Sequence, residues 1–477
     1  MQGDLGTPRV PLRVAIIGSG PSGFYAAEHL QEQDHLEVQI DMYDRLPTPF
    51  GLVRGGVAPD HQKIKSVTRI YDKIAAHPDF RFYGNVEMGR DLTHADLSAY
   101  YHAIIYAVGA RTDRRMGIPR EHLPGSHSAT EFVGWYNAHP DFCSLGFDLT
   151  SQSAAVVGNG NVAMDVARIL ASPREVLAAT DIAEHALQAL ENNGIREIHV
   201  LGRRGPAQAA FTNKELKELG ELPDVDVVVD PEVVALDPLS AADVAARPNR
   251  TRDRNLELLR EYSERPMTGA PKRIVLHFLV SPVEIIGTGR VEALTLVHNE
   301  LYESEDGSVR PRPTERRTTL PMGLVFRAIG YQGVPLPGIP FDAARGVIPN
   351  EAGRIVDPTT GTAVQGEYVV GWIKRGPQGI IGTNKPDSQE TVDALLADLA
   401  AGRLDKDEVP GREVLERLLG ERRRDFVSYE DWQLIDRLEQ ERGLASGAPR
   451  VKFSKVEEML SALQERKSAA AQEGTTR

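Results

Sequence analysis

Arg13-Val14-Ala15-Ile16-Ile17-Gly18-Ser19-Gly20-Pro21-Ser22-Gly23 decides the fold. Its first five residues are largely apolar and branched, the composition of a buried strand. They run directly into Gly18, and a helical pattern follows from Ser22 to about Gln33. In such a unit Gly18 permits the tight turn, Gly20 lets backbone approach a pyrophosphate, and Gly23 lets helix and strand pack closely. Phosphates would lie at the helix N-terminus, where N–H groups lacking intrahelical partners and the helix dipole favour negative charge. A second strand, Glu37 to Tyr43, alternates apolar residues at Val38, Ile40 and Met42 and ends at Asp44, 21 residues past Gly23. A carboxylate there suits ribose hydroxyls. Strand, turn, helix, strand and acid in register predict a dinucleotide-binding βαβ unit.

A second such turn, Gly158-Asn159-Gly160-Asn161-Val162-Ala163, follows about 140 residues later. Ala154 to Val157 feeds it, and a helix is predicted from about Asn161 to Ala171. Ala163 replaces the third glycine, which packing tolerates with slightly more separation. The partner strand reads as Glu197 to Leu201, followed by Gly202-Arg203-Arg204-Gly205. No acid stands at that strand end. Two guanidiniums suit a 2′-phosphate, which points to NADP rather than NAD. Ala163 to Arg203 spans 40 residues, where about 20 is usual, so residues 172–194 read as an inserted helical excursion. Two such turns in one chain imply two nucleotides held against each other and electrons passing between them.

The 477 residues are enough for two to four domains. Hydrophobic content of 41% with 26% charge is ordinary for a globular protein, and no apolar run approaches membrane-spanning length. The twelve residues before the first strand hold neither a signal-peptide core nor room for an amphipathic transit segment, so a cytoplasmic protein without membrane insertion is expected. One cysteine, Cys143, excludes an internal disulfide, a redox CxxC and a four-cysteine iron–sulfur site, leaving an organic redox centre and no expected metal. A net charge of −13 disfavours nucleic acid. Arg247 to Arg273 nevertheless carries a local excess of four positive charges, which reads either as a partner-docking face or as a solvated helix.

The strand Ala103 to Gly109 is echoed by Gly323 to Gly330, and the two bracket an inserted domain. The fold class predicted is α/β with two dinucleotide-binding, Rossmann-like domains, one discontinuous. Residues 1–111 and 331–477 form the outer domain, with a C-terminal helical segment at about 400–466 and a disordered tail at 467–477. Residues 112–330 form the insert. Proline-rich stretches near 311–321 and 335–349 read as surface connections.

Two glycine- and proline-dense loops, Pro47 to Lys63 and Gly371 to Asn384, must lay backbone flat against something. With GSGPSGF at 18–24, PTPFGLVRGGVAPDHQKIK at 47–65, FVGWYNAHP at 132–140, GNGNVAMDVARIL at 158–170, GRRGP at 202–206 and VVGWIKRGPQGIIGTNK at 369–385, the chain resembles the adrenodoxin reductase-like family of ferredoxin–NADP(+) reductases, specifically its actinobacterial branch. The similarity runs from residue 10 to about 455. It implies FAD in the first site, with contacts at Ser22, Asp44, Leu52, Met88 and Trp372 and along Gly379, Ile380 and Ile381. It implies NADP(H) in the second, at Arg114, Asn159, Gly160, Asn161, Val162, Arg203, Arg204, Glu215 and Gly379. Backbone N–H groups at a helix start after Gly379 would stabilise anionic reduced flavin.

Thr212-Asn213-Lys214-Glu215 is also a capping box, so Glu215 has a second reading as a helix starter. Glu218 lies three residues on, along the same helix face, within expected reach of His61 across a cleft near the nicotinamide. The alternative for His61 is a plain loop histidine. The implied reaction is hydride transfer from NADPH to FAD, then single-electron transfer to a separate acidic ferredoxin. Rivals are another NADPH-dependent flavoprotein, either a monooxygenase or a glutamate-synthase-like electron-input subunit, and a non-catalytic NADP redox-sensing protein.

Overall fold

The computed structural model describes residues 5–404, 406, 409–423 and 425–475. They form an α/β protein whose chain divides into two compact units. The first takes Met1–Val57, His61–Thr112 and Tyr331–Arg477, and the second Ala58–Asp60 and Asp113–Gly330. Three residues from inside the first glycine- and proline-dense loop thus belong with the second unit.

The first unit is built on a seven-stranded sheet. Its order is Asn350–Glu351, Arg354–Val356, Ala363–Val369, Ala103–Tyr106, Leu12–Ile17, Val38–Tyr43 and Phe80–Tyr83. The last five strands run parallel, and both faces are covered. Burial alternates accordingly: Val14 and Ile16 enter one core cluster, Ala15 and Ile17 the other. That is why Leu12–Ile17 reads as an uninterrupted apolar run rather than as an alternation.

The second unit repeats the plan on a parallel six-stranded sheet. Its order is Ser126–Ser128, Leu324–Arg327, Ser153–Val157, Glu197–Leu201, Lys272–His277 and Val225–Val229. Ala154 and Val156 face one core cluster, Ala155 and Val157 the other. The excursion at 172–194 forms helices Arg174–Ala178 and Glu184–Glu191, which bury Leu177, Ala186 and Leu190 in the main core. This insertion explains the stretched spacing between the glycine turn and the arginine pair.

Two expectations are corrected. Residues 311–321 are not a connection: they lie in Val309–Pro321, an outer strand of an antiparallel three-stranded sheet with Ala293–Glu303 and Val280–Ile286. An outer strand tolerates Pro311, Pro313 and Pro321, because a missing donor can face away from its neighbour. The stretch expected as a disordered tail is helical within Val456–Thr475; residues 476–477 lie outside the described residues. Ala469, Ala470, Ala471, Gln472 and Glu473 are strong helix formers, so propensity extends the helix where polarity alone suggested an end. Among the described residues, no helix is long and apolar enough to cross a membrane.

Candidate functional site

In the first unit the glycine turn is shaped from both sides. The Gly18 N–H donates to the Tyr43 carbonyl at 2.8 Å, and the Ala107 N–H donates to the Ile17 carbonyl at 2.8 Å. Gly18 has φ +108°, and a Cβ on it would come within 2.5 Å of the Ala107 carbonyl oxygen. A Cβ on Gly23 would collide with the Gly18 carbonyl. Gly20 differs, since a Cβ there meets no atom within 4 Å. The protein's own packing does not demand glycine at that position, whereas close approach of a pyrophosphate does. Helix Pro21–Gln31 starts on Gly20 with no side-chain cap and no acid in its first turn, which leaves its positive end for an anion.

Asp44 carries a load beyond the one its position predicts. One carboxylate oxygen accepts the Ser19 N–H at 3.1 Å and its hydroxyl at 2.5 Å, and the other accepts the Leu46 N–H at 2.9 Å. It therefore braces the glycine turn, and only its remaining lone pairs are open to ribose hydroxyls.

The two dense loops do lie flat, as their composition predicts. The Phe50 N–H donates to the Ser19 carbonyl at 2.9 Å, and a Cβ on Gly51 would approach Gly20 Cα to 3.1 Å. Leu52 begins the short helix Leu52–Gly55, and Met88 packs on the adjoining core. Gly371, at φ +76°, has no room for a side chain against the Ser22 hydroxyl. Its N–H donates to Asp387 at 2.6 Å, and Arg375 pairs with the same carboxylate oxygen at 3.1 Å. Asn384 Oδ1 accepts from Ser22 Oγ at 3.0 Å and from Arg375 at 2.8 Å, while Ser388 donates to the Ser22 carbonyl at 2.9 Å. Ser22 and the Trp372 turn are thereby fixed together. Trp372 stacks obliquely on Tyr331 at 5.2 Å, and its buried Nε1–H has no hydrogen-bond partner among the described residues. A donor in that state suits a bound acceptor. Ile381 opens the turn before helix Asn384–Ala400, and Gly379 and the exposed Ile380 precede it.

The second unit reproduces the turn. The Gly158 N–H donates to the Leu201 carbonyl at 2.9 Å and the Ala328 N–H to the Val157 carbonyl at 2.8 Å. A Cβ on Gly158 would collide with the Ala328 carbonyl, while one on Gly160 again meets nothing within 4 Å. The buried Asn159 side-chain amide nitrogen is without a hydrogen-bond partner among the described residues. Asn161 begins helix Asn161–Ala171, followed by the half-buried Val162. Arg114 is exposed, and its N–H donates to the Gly330 carbonyl at 3.0 Å.

Arg203 and Arg204 follow the strand Glu197–Leu201 side by side. Neither guanidinium forms an ion pair with a carboxylate of the described residues. Burial, with the neighbouring Arg203 charge adding to it, lowers the Arg204 pKa from its ordinary value. A dianionic phosphate would relieve that repulsion. The backbone beneath is pinned, because Asn299 donates to the Arg203 carbonyl at 2.9 Å and the Leu279 N–H to the Arg204 carbonyl at 3.1 Å.

The capping box at 212–215 does not close. The Thr212 N–H donates to Asn161 Oδ1 at 2.9 Å instead, and the Thr212 hydroxyl bonds the buried Glu215 carboxylate. The asparagine side chain reaches the N–H first, so Glu215 braces the cap through the hydroxyl. Glu218 lies 3.6 Å from Arg168 and 3.4 Å from Lys214. Arg168 is buried, grips Asp60 through two hydrogen bonds of 2.7 and 2.9 Å and meets Asp165 at 2.8 Å. Burial alone would lower its pKa, but Asp165, Asp60 and Glu218 outweigh it and hold the guanidinium well above its ordinary value. His61, in the first unit, is buried and immediately precedes the short helix Gln62–Lys65, making no side-chain cap bond to it.

Part of the basic stretch 247–273 is neutralised by carboxylates in and near it. Arg252 reaches Asp243 and two backbone carbonyls, Arg254 meets Glu257 and Glu261, and Arg273 meets Glu197. Arg250, Arg260 and Arg265 remain exposed without ion pairs among the described residues.

A family profile described as pyridine nucleotide-disulphide oxidoreductase matches residues 12–201. The NADPH-ferredoxin reductase FprA of Mycobacterium leprae is 49% identical over 452 residues, covering 94% of this chain and 97% of that one. The mitochondrial NADPH:adrenodoxin oxidoreductase of Arabidopsis thaliana is 41% identical over 464 residues, covering 95% of each. The solved structure of Mycobacterium tuberculosis FprA in complex with NADPH superposes with a TM-score of 0.90 at 47% identity, over 95% of this chain and 100% of that one. The chain belongs to the NADPH–ferredoxin reductase family that includes the adrenodoxin reductases.

Proposed function

We propose that the protein is an FAD-dependent NADPH–ferredoxin reductase, with FAD in the first unit and NADP(H) in the second. The observation that carries this reading is the repeated turn, in which Gly18 and Gly158 are required by packing whereas a Cβ on Gly20 or Gly160 would meet no atom of the described residues within 4 Å. When bound, the cofactor pair supplies conversion of a two-electron hydride donor into single electrons for an iron–sulfur carrier. The chain's own work is placement and field. Gly18, Gly20 and Gly23 with the start of helix Pro21–Gln31 take the FAD pyrophosphate, and Asp44 and Ser22 fix the turn. Leu52, Met88, Trp372, Gly379, Ile380 and Ile381 line the ring. Asn159, Gly160, Asn161 and Val162 take the second pyrophosphate, Arg203 and Arg204 the 2′-phosphate, and Arg114 and Glu215 the remainder of NADP(H). His61 and Glu218 are assigned to the reaction itself.

The electron acceptor is a separate acidic ferredoxin, and the protein works in the cytoplasm. Stopped-flow mixing of the yellow holoprotein with NADPH and then with ferredoxin tests the reading. Bleaching of the flavin followed by reoxidation on the ferredoxin is expected. A preparation that is colourless and cannot be reconstituted with FAD sinks the proposal.

A further inference from the structure

Arg54 stands in the middle of the first dense loop, two residues after Leu52, where a cation would ordinarily be read as a phosphate ligand. The structure gives it another partner. Its guanidinium is held in a fork by Glu439 of helix Tyr429–Ser446, at 2.8 and 2.6 Å. Glu439 is wholly buried, with 0% exposure. The same guanidinium lies over the Trp432 ring at 5.1 Å. Trp432, Ile435 and Glu439 share one buried face of that helix. Trp432 also meets Phe50 edge-on at 5.7 Å.

The chain beyond the helix closes the grip. The Phe453 N–H donates to Glu439 Oε1 at 2.9 Å, and Lys452 Nζ donates to the Arg54 carbonyl at 3.3 Å. Phe50 needs such support. It sits at φ +83°, a conformation a bulky side chain keeps only when its surroundings over-determine it. From Phe50 the connection to the pyrophosphate turn is direct, through its N–H on the Ser19 carbonyl and the close approach of Gly51 to Gly20.

We propose that the C-terminal segment 429–453 is a latch on the flavin loop. In it Glu439 acts through Arg54, with Trp432 against Phe50, to hold residues 50–55 in the shape that receives FAD. Arg54 and Glu439 are positioning residues. This inference rests on the assignment of FAD to the first unit.

The test uses holoprotein of two variants, Glu439→Gln and Arg54→Lys. Both disturb the fork while keeping side-chain bulk, and Arg54→Lys also keeps the charge. Three quantities are read: the rate of FAD release on dilution by recovery of flavin fluorescence, the visible circular dichroism of the bound flavin, and the NADP(+) dissociation constant. The latch predicts FAD release at least roughly tenfold faster and an altered visible dichroism, with NADP(+) affinity within about twofold of the parent. A lowered melting temperature with unchanged FAD release and unchanged dichroism overturns it, because the pair is then merely structural. Should Glu439→Gln not accumulate, Arg54→Lys decides alone. A parent protein without flavin overturns the functional assignment itself, whereas a yellow parent with indifferent variants removes only the latch.

Discussion

The side-chain amide of Asn299 donates both to the backbone carbonyl of Arg203, at 2.9 Å, and to Ser281 Oγ, at 2.8 Å. The arginine pair is therefore not a floppy loop element. Its backbone hangs from the strand Ala293–Glu303, and its side chains are left without carboxylate partners among the described residues. Two guanidiniums held in this way suit an anionic group.

Replacing both Arg203→Ala and Arg204→Ala should erode the preference for NADPH over NADH. Hydrogen bonds to a charged group contribute about 1.5–3 kcal/mol each, so the ratio of kcat/KM values should fall by roughly a hundredfold or more. The loss should appear with NADPH and barely with NADH. An unchanged ratio means that the 2′-phosphate is held elsewhere.

Asn299→Leu separates the pinning from the charges. Both guanidiniums remain, but the Arg203 carbonyl loses its buried donor. KM for NADPH should rise by about tenfold with kcat within about twofold, the mark of lost uniform binding. A fall in kcat at constant KM would show that the asparagine serves the chemical step instead.

What was legible in the sequence was local or repeated. The run from Arg13 to Gly23, its counterpart around Gly158 and the echo between 103–109 and 323–330 all land on corresponding strands of two similar sheets. What was not legible lies between residues far apart in the chain. Asn299 meets Arg203 across 96 residues and Glu439 meets Arg54 across 385, and neither pairing leaves a periodic trace. Local signals also misled where a nearer partner intervened. Asn161 takes the N–H that a capping box would have used. Proline at 311–321 marks an outer strand, not a connection.

Reduction of an acidic ferredoxin should slow as salt is added, because steering is screened over about 10 Å at 0.1 M and about 3 Å at 1 M. The structure narrows where the charge resides: part of the 247–273 stretch is neutralised by nearby carboxylates, while Arg250, Arg260 and Arg265 are exposed without ion pairs among the described residues. Arg250→Ala with Arg260→Ala should lower kcat/KM for ferredoxin several-fold at low ionic strength and leave NADPH oxidation by ferricyanide unchanged. Equal ferredoxin rates for parent and variant at low salt exclude this helix as the docking face.

His102 sets an acid limit on the first unit. Its Nδ1 accepts the Arg13 N–H at 3.0 Å, so the ring must be neutral on that side to hold the start of the central strand. Burial, then the Lys406 and Arg13 charges, push its pKa down from 6.5 to about 4. The unfolded chain therefore binds a proton that the folded one refuses. The stabilisation is complete above the unfolded value of about 6.5 and is lost as pH falls towards 4, at up to about 1.4 kcal/mol per pH unit. His102→Asn keeps an acceptor that cannot be protonated in this range. Denaturant unfolding of the parent at pH 7 and pH 5 should show a loss at the lower pH, and the variant should lose less. Equal losses in the two proteins would place the acid sensitivity in other groups, such as His127 and His277, which burial also pushes down to about 4.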